Sequence, residues 1–150
     1  MRKFAALALI VVLVGCSRST VDRTKEENRI REAVFEYQMG QYTASVFFLS
    51  IGEAAGDPNA EIMSYFEGHA PPVKPVTQCA AAGGASINDV ATGDTGIIIK
   101  AAAIKWISET EVEVKGGHMA GTKDTSGNTY HLVLQNGEWV VDKDTVDWES

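Results

Sequence analysis

The sequence predicts an α+β fold, with N-terminal helices packed on a curved antiparallel sheet. Three observations carry this expectation. Apolar residues recur at helical spacing early in the chain, at Ile30, Val34 and Tyr37 and again at Ile62, Met63 and Phe66. Alternating patterns typical of half-buried strands fill the last third. Asn136-Gly137, the strongest short hairpin signal, lies between two apolar strands. Helices that precede a run of strands indicate segregated layers rather than alternating βα units.

The first segment in order is a leader. Met1-Arg2-Lys3 supplies positive charge, and Phe4 to Val14 is an unbroken apolar run. That run is too short for a membrane-spanning helix, which needs about 20 residues, but it suits the core of a secretory signal. It ends Leu13-Val14-Gly15-Cys16. This ending resembles the lipobox of bacterial lipoproteins. The resemblance implies a signal helix over residues 1–15, cleavage before Cys16, and a diacylglyceryl thioether on Cys16 that links the chain to a membrane. Ser17, where Asp would favour inner-membrane retention, implies a cell-envelope protein on the outer membrane facing the periplasm in a Gram-negative source. Residues 16–21 are then the lipidated cysteine and its tether, and residues 22–150 form a single α+β domain.

Within that domain, Thr24-Lys25-Glu26-Glu27 fits a capping box, and Gly40 is a natural stop, predicting a helix over about 22–39. Val46-Phe47-Phe48-Leu49 suits a buried strand, ended by Gly52 and Gly56. Asp57-Pro58 places a capping acid before a proline and predicts a short second helix that stops at Gly68. Residues 69–76 hold three of the four prolines and predict an extended connector. Thr77–Ala80 is expected to be a short strand, and Ala81–Gly96 a loop or irregular hairpin. A strand is expected from Ile97 to about Ile107. Val112 and Val114 alternate with Glu111, Glu113 and Lys115 in the next, where Gly116-Gly117 marks a candidate bulge. Ser126-Gly127-Asn128 is read as a turn. Tyr130, Leu132 and Leu134 form an inward set, and Glu138–Lys143 returns with Trp139 and Val141 on one face.

This order of elements resembles the cone-shaped nuclear-transport-factor-2-like (cystatin-like) superfamily. Several stretches are similar to a narrower group of small uncharacterised bacterial proteins. They are Ile30–Phe35, Val73–Val76, Ile104–Val114, Ser126–Tyr130 and Asn136–Val141. The superfamily hosts both enzymes and plain binding domains, so the resemblance implies a fold and leaves the activity open. By analogy with its members, a homodimer through the open sheet face is expected.

Charge narrows the partners. The formal net charge is −7, and Arg2 and Lys3 depart with a cleaved leader, which leaves −9. Such a domain repels phosphate backbones, so no nucleic acid partner is expected. Cys16 is consumed by lipid, and Cys79 then has no partner for an internal disulfide; its small apolar neighbours point to a buried thiol.

No cofactor or metal motif emerges. His69, His118 and His131 fall on separate elements without ligand spacing, and Glu109, Glu111 and Glu113 read as the wet face of a strand. The Asp89–Asp94 loop lacks the ligand order of a calcium loop, and Gly83-Gly84 lacks the Lys and Ser/Thr of a phosphate loop. The expectation is therefore a non-catalytic domain that binds a small apolar molecule or an envelope protein. Trp106, His118, Tyr130 and Trp148 are the candidate pocket or partner-face residues. The alternative is an isomerase- or hydrolase-type enzyme that uses His118 or Asp142 as base. Strand parity puts His118 inward if Gly116-Gly117 keep register, and turns His131 outward.

Overall fold

The computed structural model describes residues 20–83 and 85–150. The leader over residues 1–15, Cys16 and most of the tether lie outside the described residues. Helix α1 spans Thr20–Gln41. It takes in two residues assigned to the tether, encloses Thr24, and runs through Gly40, so neither the capping box nor the glycine ends it. Its inward stripe is Ile30, Val34 and Gln38, with Phe35 and Met39 beside them, all 9 % exposed or less.

Strand β1 (Phe47–Ile51) follows, then a short helix α2 (Ala60–Tyr65). The cap of α2 is Asn59, whose side chain accepts from Ile62 N at 3.1 Å, rather than Asp57. Asp57 instead accepts from the backbone N–H and the hydroxyl of Thr77, holding the loop before α2 to a 3-10 turn at Val76–Gln78. The expected connector contains β2 (Val73–Pro75). The 3-10 turn displaces the next strand, β3, to Cys79–Ala82. It pairs with β4 (Ser86–Asp89) as a hairpin, so the Ala81–Gly96 stretch, expected to be a loop or irregular hairpin, carries the end of β3 and all of β4.

Four long strands complete the chain: β5 (Thr95–Ser108), β6 (Glu111–Gly121), β7 (Asp124–Gln135) and β8 (Glu138–Glu149). The order across the sheet is β2-β1-β5-β6-β7-β8. The sheet is curved and open, and it is mixed rather than antiparallel: β1 runs parallel to both β2 and β5. Each of these pairs is joined by a crossover, through α2 for β1–β2 and through α2, β2 and the β3–β4 hairpin for β1–β5, and crossovers are what parallel neighbours require.

Among the described residues, α1 alone lies along the sheet, where more than one helix was expected. It buries Ile30, Val34, Phe35 and Met39 against Phe47, Leu49, Ile99, Val112, Val114, Tyr130, Leu132 and Trp139. The α2 helix adds Ile62 and Phe66 at one side of this core, with Phe66 edge-on to Phe35 at 6.3 Å. On the other face a small second core joins Val46, Phe48 and Ile87, with Cys79 and Ile98 packed against it.

Bulges fall elsewhere than expected. Gly116-Gly117 keep register with β7 throughout; the extra residue sits on β5, where Ala101 faces Gly116 but Ile104 faces Val114. Ser126-Gly127-Asn128 lies within β7, not in a turn. The β6–β7 reversal comes earlier, beyond the Gly121–Asp124 pair. The β7–β8 turn is where the dipeptide puts it, with Asn136 at φ 51° and Gly137 at φ 80°.

Candidate functional site

On the sheet face away from α1, one cross-strand row runs Ser50, Lys100, Gly117, Gly127, Trp148, each residue registered opposite the next. Side chains stand at both ends of the row and two glycines occupy its middle, which leaves a trough. Ile98 and Met119 border it on one side, Lys115 and Asp147 on the other, and Ala55 and Val76 close the β1 end. The open cleft has a volume of about 750 Å³, within the range of small-molecule sites.

Each part has a local cause. Gly127 has no side chain because the indole of Trp148 takes that space: a Cβ there would lie 2.1 Å from Trp148 Nε1. Gly117 adopts φ +139°, and a Cβ would meet the Ser126 carbonyl oxygen at 1.9 Å, so the backbone pairing itself demands glycine. The β8 bulge makes Asp147 the extra residue between Val146 and Trp148. Two consecutive side chains therefore share the trough face. Trp148 covers Gly127 while remaining 58 % exposed. Asp147 accepts from Lys115 Nζ at 3.0 Å and Thr129 Oγ1 at 2.7 Å. Those two hydrogen bonds, Thr129 foremost, hold its carboxyl below the usual carboxylate range.

At the other end of the row, Ser50 is 1 % exposed and its Oγ is buried without a hydrogen-bond partner. The half-buried Lys100 donates from Nζ to the Glu53 carbonyl oxygen at 3.1 Å. Among the described residues no carboxylate lies within ion-pair distance of it.

A polar network occupies the opposite face, near the C-terminal end of α1. Asn128 Nδ2 donates to Asp144 at 2.7 Å, and Ser126 Oγ donates to Asn128 Oδ1 at 2.6 Å. His118 Nδ1 lies 2.8 Å from Ser126 Oγ and 2.9 Å from the Tyr42 hydroxyl, and Nε2 lies 2.9 Å from Asp124 Oδ1. His118 thus points inward, and both of its ring nitrogens are engaged by side chains of the same chain. Burial pushes the Tyr42 hydroxyl up, and the nearby Asp144 adds to this.

The four residues expected to form one pocket or partner face are divided. Trp148 lines the cleft. His118 belongs to the network; its side chain is held behind the sheet, although the residue also borders the cleft. Tyr130 is 1 % exposed, packs edge-on against Tyr37 at 5.8 Å, and is core; burial drives its hydroxyl far above the ordinary value. Trp106 sits six residues further along β5 than Lys100, between the guanidinium of Arg23 (3.9 Å) and Trp139 (5.7 Å). It supports the start of α1 and is remote from the cleft. Asp142 is another bulge residue, 2.5 Å from His131 Nδ1 on the outer face, where Glu111 holds Nε2 at 2.6 Å. His118 and Asp142 therefore stand on opposite faces.

Ser50, Lys100, Gly117 and Gly127 were not singled out as site residues from the sequence. The one available signal was two glycines inside strands, which mark bulges or close approaches. The row itself depends on register between distant segments. Among the described residues no cluster of His, Cys, Asp and Glu is arranged to hold a metal ion, and no helix is long and apolar enough to cross a membrane. No family model matches the chain, nor does any curated protein or solved structure.

Proposed function

We propose that this chain is a lipid-anchored envelope protein whose single domain is a non-catalytic binding module of the cone-shaped, nuclear-transport-factor-2-like kind. The observation that carries the binding reading is the 750 Å³ cleft on the sheet face away from α1. Its open surface is mainly apolar, with polar groups at the β1 end (Ser50, Lys100) and along one side (Lys115, Asp147), a combination found in small-molecule sites. One helix on a curved sheet accords with the cone architecture. The lipid anchor rests on Leu13-Val14-Gly15-Cys16, and an outer-membrane, periplasm-facing address rests on Ser17.

The engagement of His118 favours binding over catalysis. A general base needs a nitrogen free to reach substrate, and both nitrogens of His118 already meet Tyr42, Ser126 and Asp124. Asp142 is likewise occupied by His131.

An envelope protein is the second class of partner. The β8 strand is an open sheet edge, with Val140, Val146 and Trp148 exposed, and such an edge accepts another strand. Two copies of this chain are less suited to it, because Asp142, Asp144, Asp147 and Glu149 would meet their own kind.

Native mass spectrometry of the purified protein tests the binding reading. A reproducible mass excess beyond the processed, acylated chain supports a bound small molecule. A bare chain that also fails to take up apolar probes rejects it. Mass analysis of the N-terminal peptide tests the anchor: diacylglyceryl on Cys16 is expected, and an unmodified thiol overturns it.

A further inference from the structure

We propose that the cleft takes an anionic amphiphile: an apolar chain that lies along the glycine trough toward Trp148, with a carboxylate-type head at Lys100 and Ser50. The proposal rests on the binding reading above and adds the ligand's chemical class.

Two independent observations converge on one end of the cleft. The first is a buried hydroxyl without a partner. Ser50 Oγ is buried with no hydrogen-bond partner among the described residues, and Ser50 lines the cleft at 1 % exposure. Burying a hydroxyl unsatisfied is costly, and a ligand oxygen within reach removes that penalty. The second is a cation without an anion. Lys100 stands next to Ser50 in register, is half-buried, and among the described residues its ammonium bonds only the Glu53 carbonyl, at 3.1 Å. The other lysine of the cleft is satisfied, because Lys115 donates to Asp147 and Thr129. An ammonium and a hydroxyl side by side offer several N–H and O–H donors to one head group, and charge-assisted bonds are the stronger kind.

The rest of the row suits a narrow apolar body. Gly117 places no side chain in the trough, the Trp148 indole lies over Gly127 and closes that end, Ile98 and Met119 border it, and more than half of the Trp148 surface is open. The chain as a whole carries −7, so attraction to an anion must be local. It must come from direct charge-assisted contact with Lys100 rather than from the field of the whole chain.

The test is calorimetric titration of the purified full chain in lipid nanodiscs, with empty nanodiscs subtracted. The two probes are octanoate and octanol, which share a tail and differ in head charge. Octanoate is expected to bind at least about tenfold more tightly than octanol. Lys100→Met is expected to abolish that preference, because octanoate affinity falls by much more than octanol affinity, and Ser50→Ala to weaken octanoate more than octanol. Equal affinity for the two probes in the unsubstituted chain overturns the anionic-head proposal and leaves the binding reading standing. Binding of neither probe overturns both. The comparison between probes needs no variant, so a misfolded Lys100→Met protein does not obscure it.

Discussion

Replacing Gly127 by alanine has an effect whose sign depends on Trp148. An added methyl at Gly127 would lie 2.1, 2.5 and 2.9 Å from three atoms of the Trp148 indole, and these are its nearest neighbours. The backbone of Gly127 is outside the left-handed region, so the clash with the indole is the obstacle to a side chain. The magnitude follows from burial. Trp148 is 58 % exposed, so about two-fifths of a residue of roughly 250 Å² is covered. At about 25 cal/mol per Å² the covered area is worth up to about 2.5 kcal/mol. Trp148→Ala is therefore expected to cost about 1–2.5 kcal/mol. Gly127→Ala in the native background is expected to cost a similar amount, because the indole must leave the sheet. In the Trp148→Ala background the clash is gone, and alanine is preferred to glycine in a strand by about 0.5–1 kcal/mol. There Gly127→Ala is expected to be neutral or stabilising. Urea unfolding of the four proteins in this double-mutant cycle measures the coupling directly. If Gly127→Ala destabilises equally in both backgrounds, the indole does not occupy the glycine's space, and the account of that wall of the cleft is wrong.

Three further outcomes are expected. His131 donates to Asp142 and Glu111, which raise its pKa above 6.5, Asp142 most strongly. The stabilisation is therefore full below the unfolded value and fades as pH rises through the folded one. The stability difference between the native chain and His131→Gln should be larger at about pH 6 than at about pH 9; a flat difference would contradict the pairing. Asp89, 3 % exposed and 2.5 Å from Lys74 Nζ, has its pKa lowered from 3.8, by Lys74 first and then by the Ala91 N–H. That contribution is present above the unfolded value and lost as pH falls through the folded one. Asp89→Asn should thus lower the urea midpoint at neutral pH, and the gap should close in acid. The Cys79 thiol donates to the Val76 carbonyl at 3.1 Å and its pKa is raised by burial. Iodoacetamide should label it slowly in the folded protein and at least tenfold faster in urea; equal rates would place it on the open surface.

The parts of this fold that local chemistry dictates were legible in the chain. Strand alternation placed Val112 and Val114 inside and Glu111 and Glu113 outside, and the same parity correctly separates His118 from His131. Asn136-Gly137 specified its turn because both positions need positive φ, which those residues tolerate. Capping signals were less decisive. Thr24 and Gly40 both carry the right chemistry, yet α1 passes through each, because burial of the stripe from Ile30 to Met39 outweighs a cap worth about 1 kcal/mol. Asp57 is as good a cap as Asn59, but Thr77 claims it first.

The sequence by itself determined an α+β domain: N-terminal helices ahead of a β-meander, with the inward face of each late strand readable from its period of two. Only the tertiary structure decided that β1 enters between β2 and β5 as a parallel strand, and that the bulges fall in β5 and β8 and at the Met119–Gly121 end of β6. It also decided that Ser50, Lys100, Gly117, Gly127 and Trp148 line up as one row. The reason is physical. A period or a turn is set by neighbours a few residues apart. The register between residues 50, 100, 117, 127 and 148 is set by packing between segments that meet only after the chain has closed on itself. A one-residue slip in any of those pairings would turn half of the cleft to the other face.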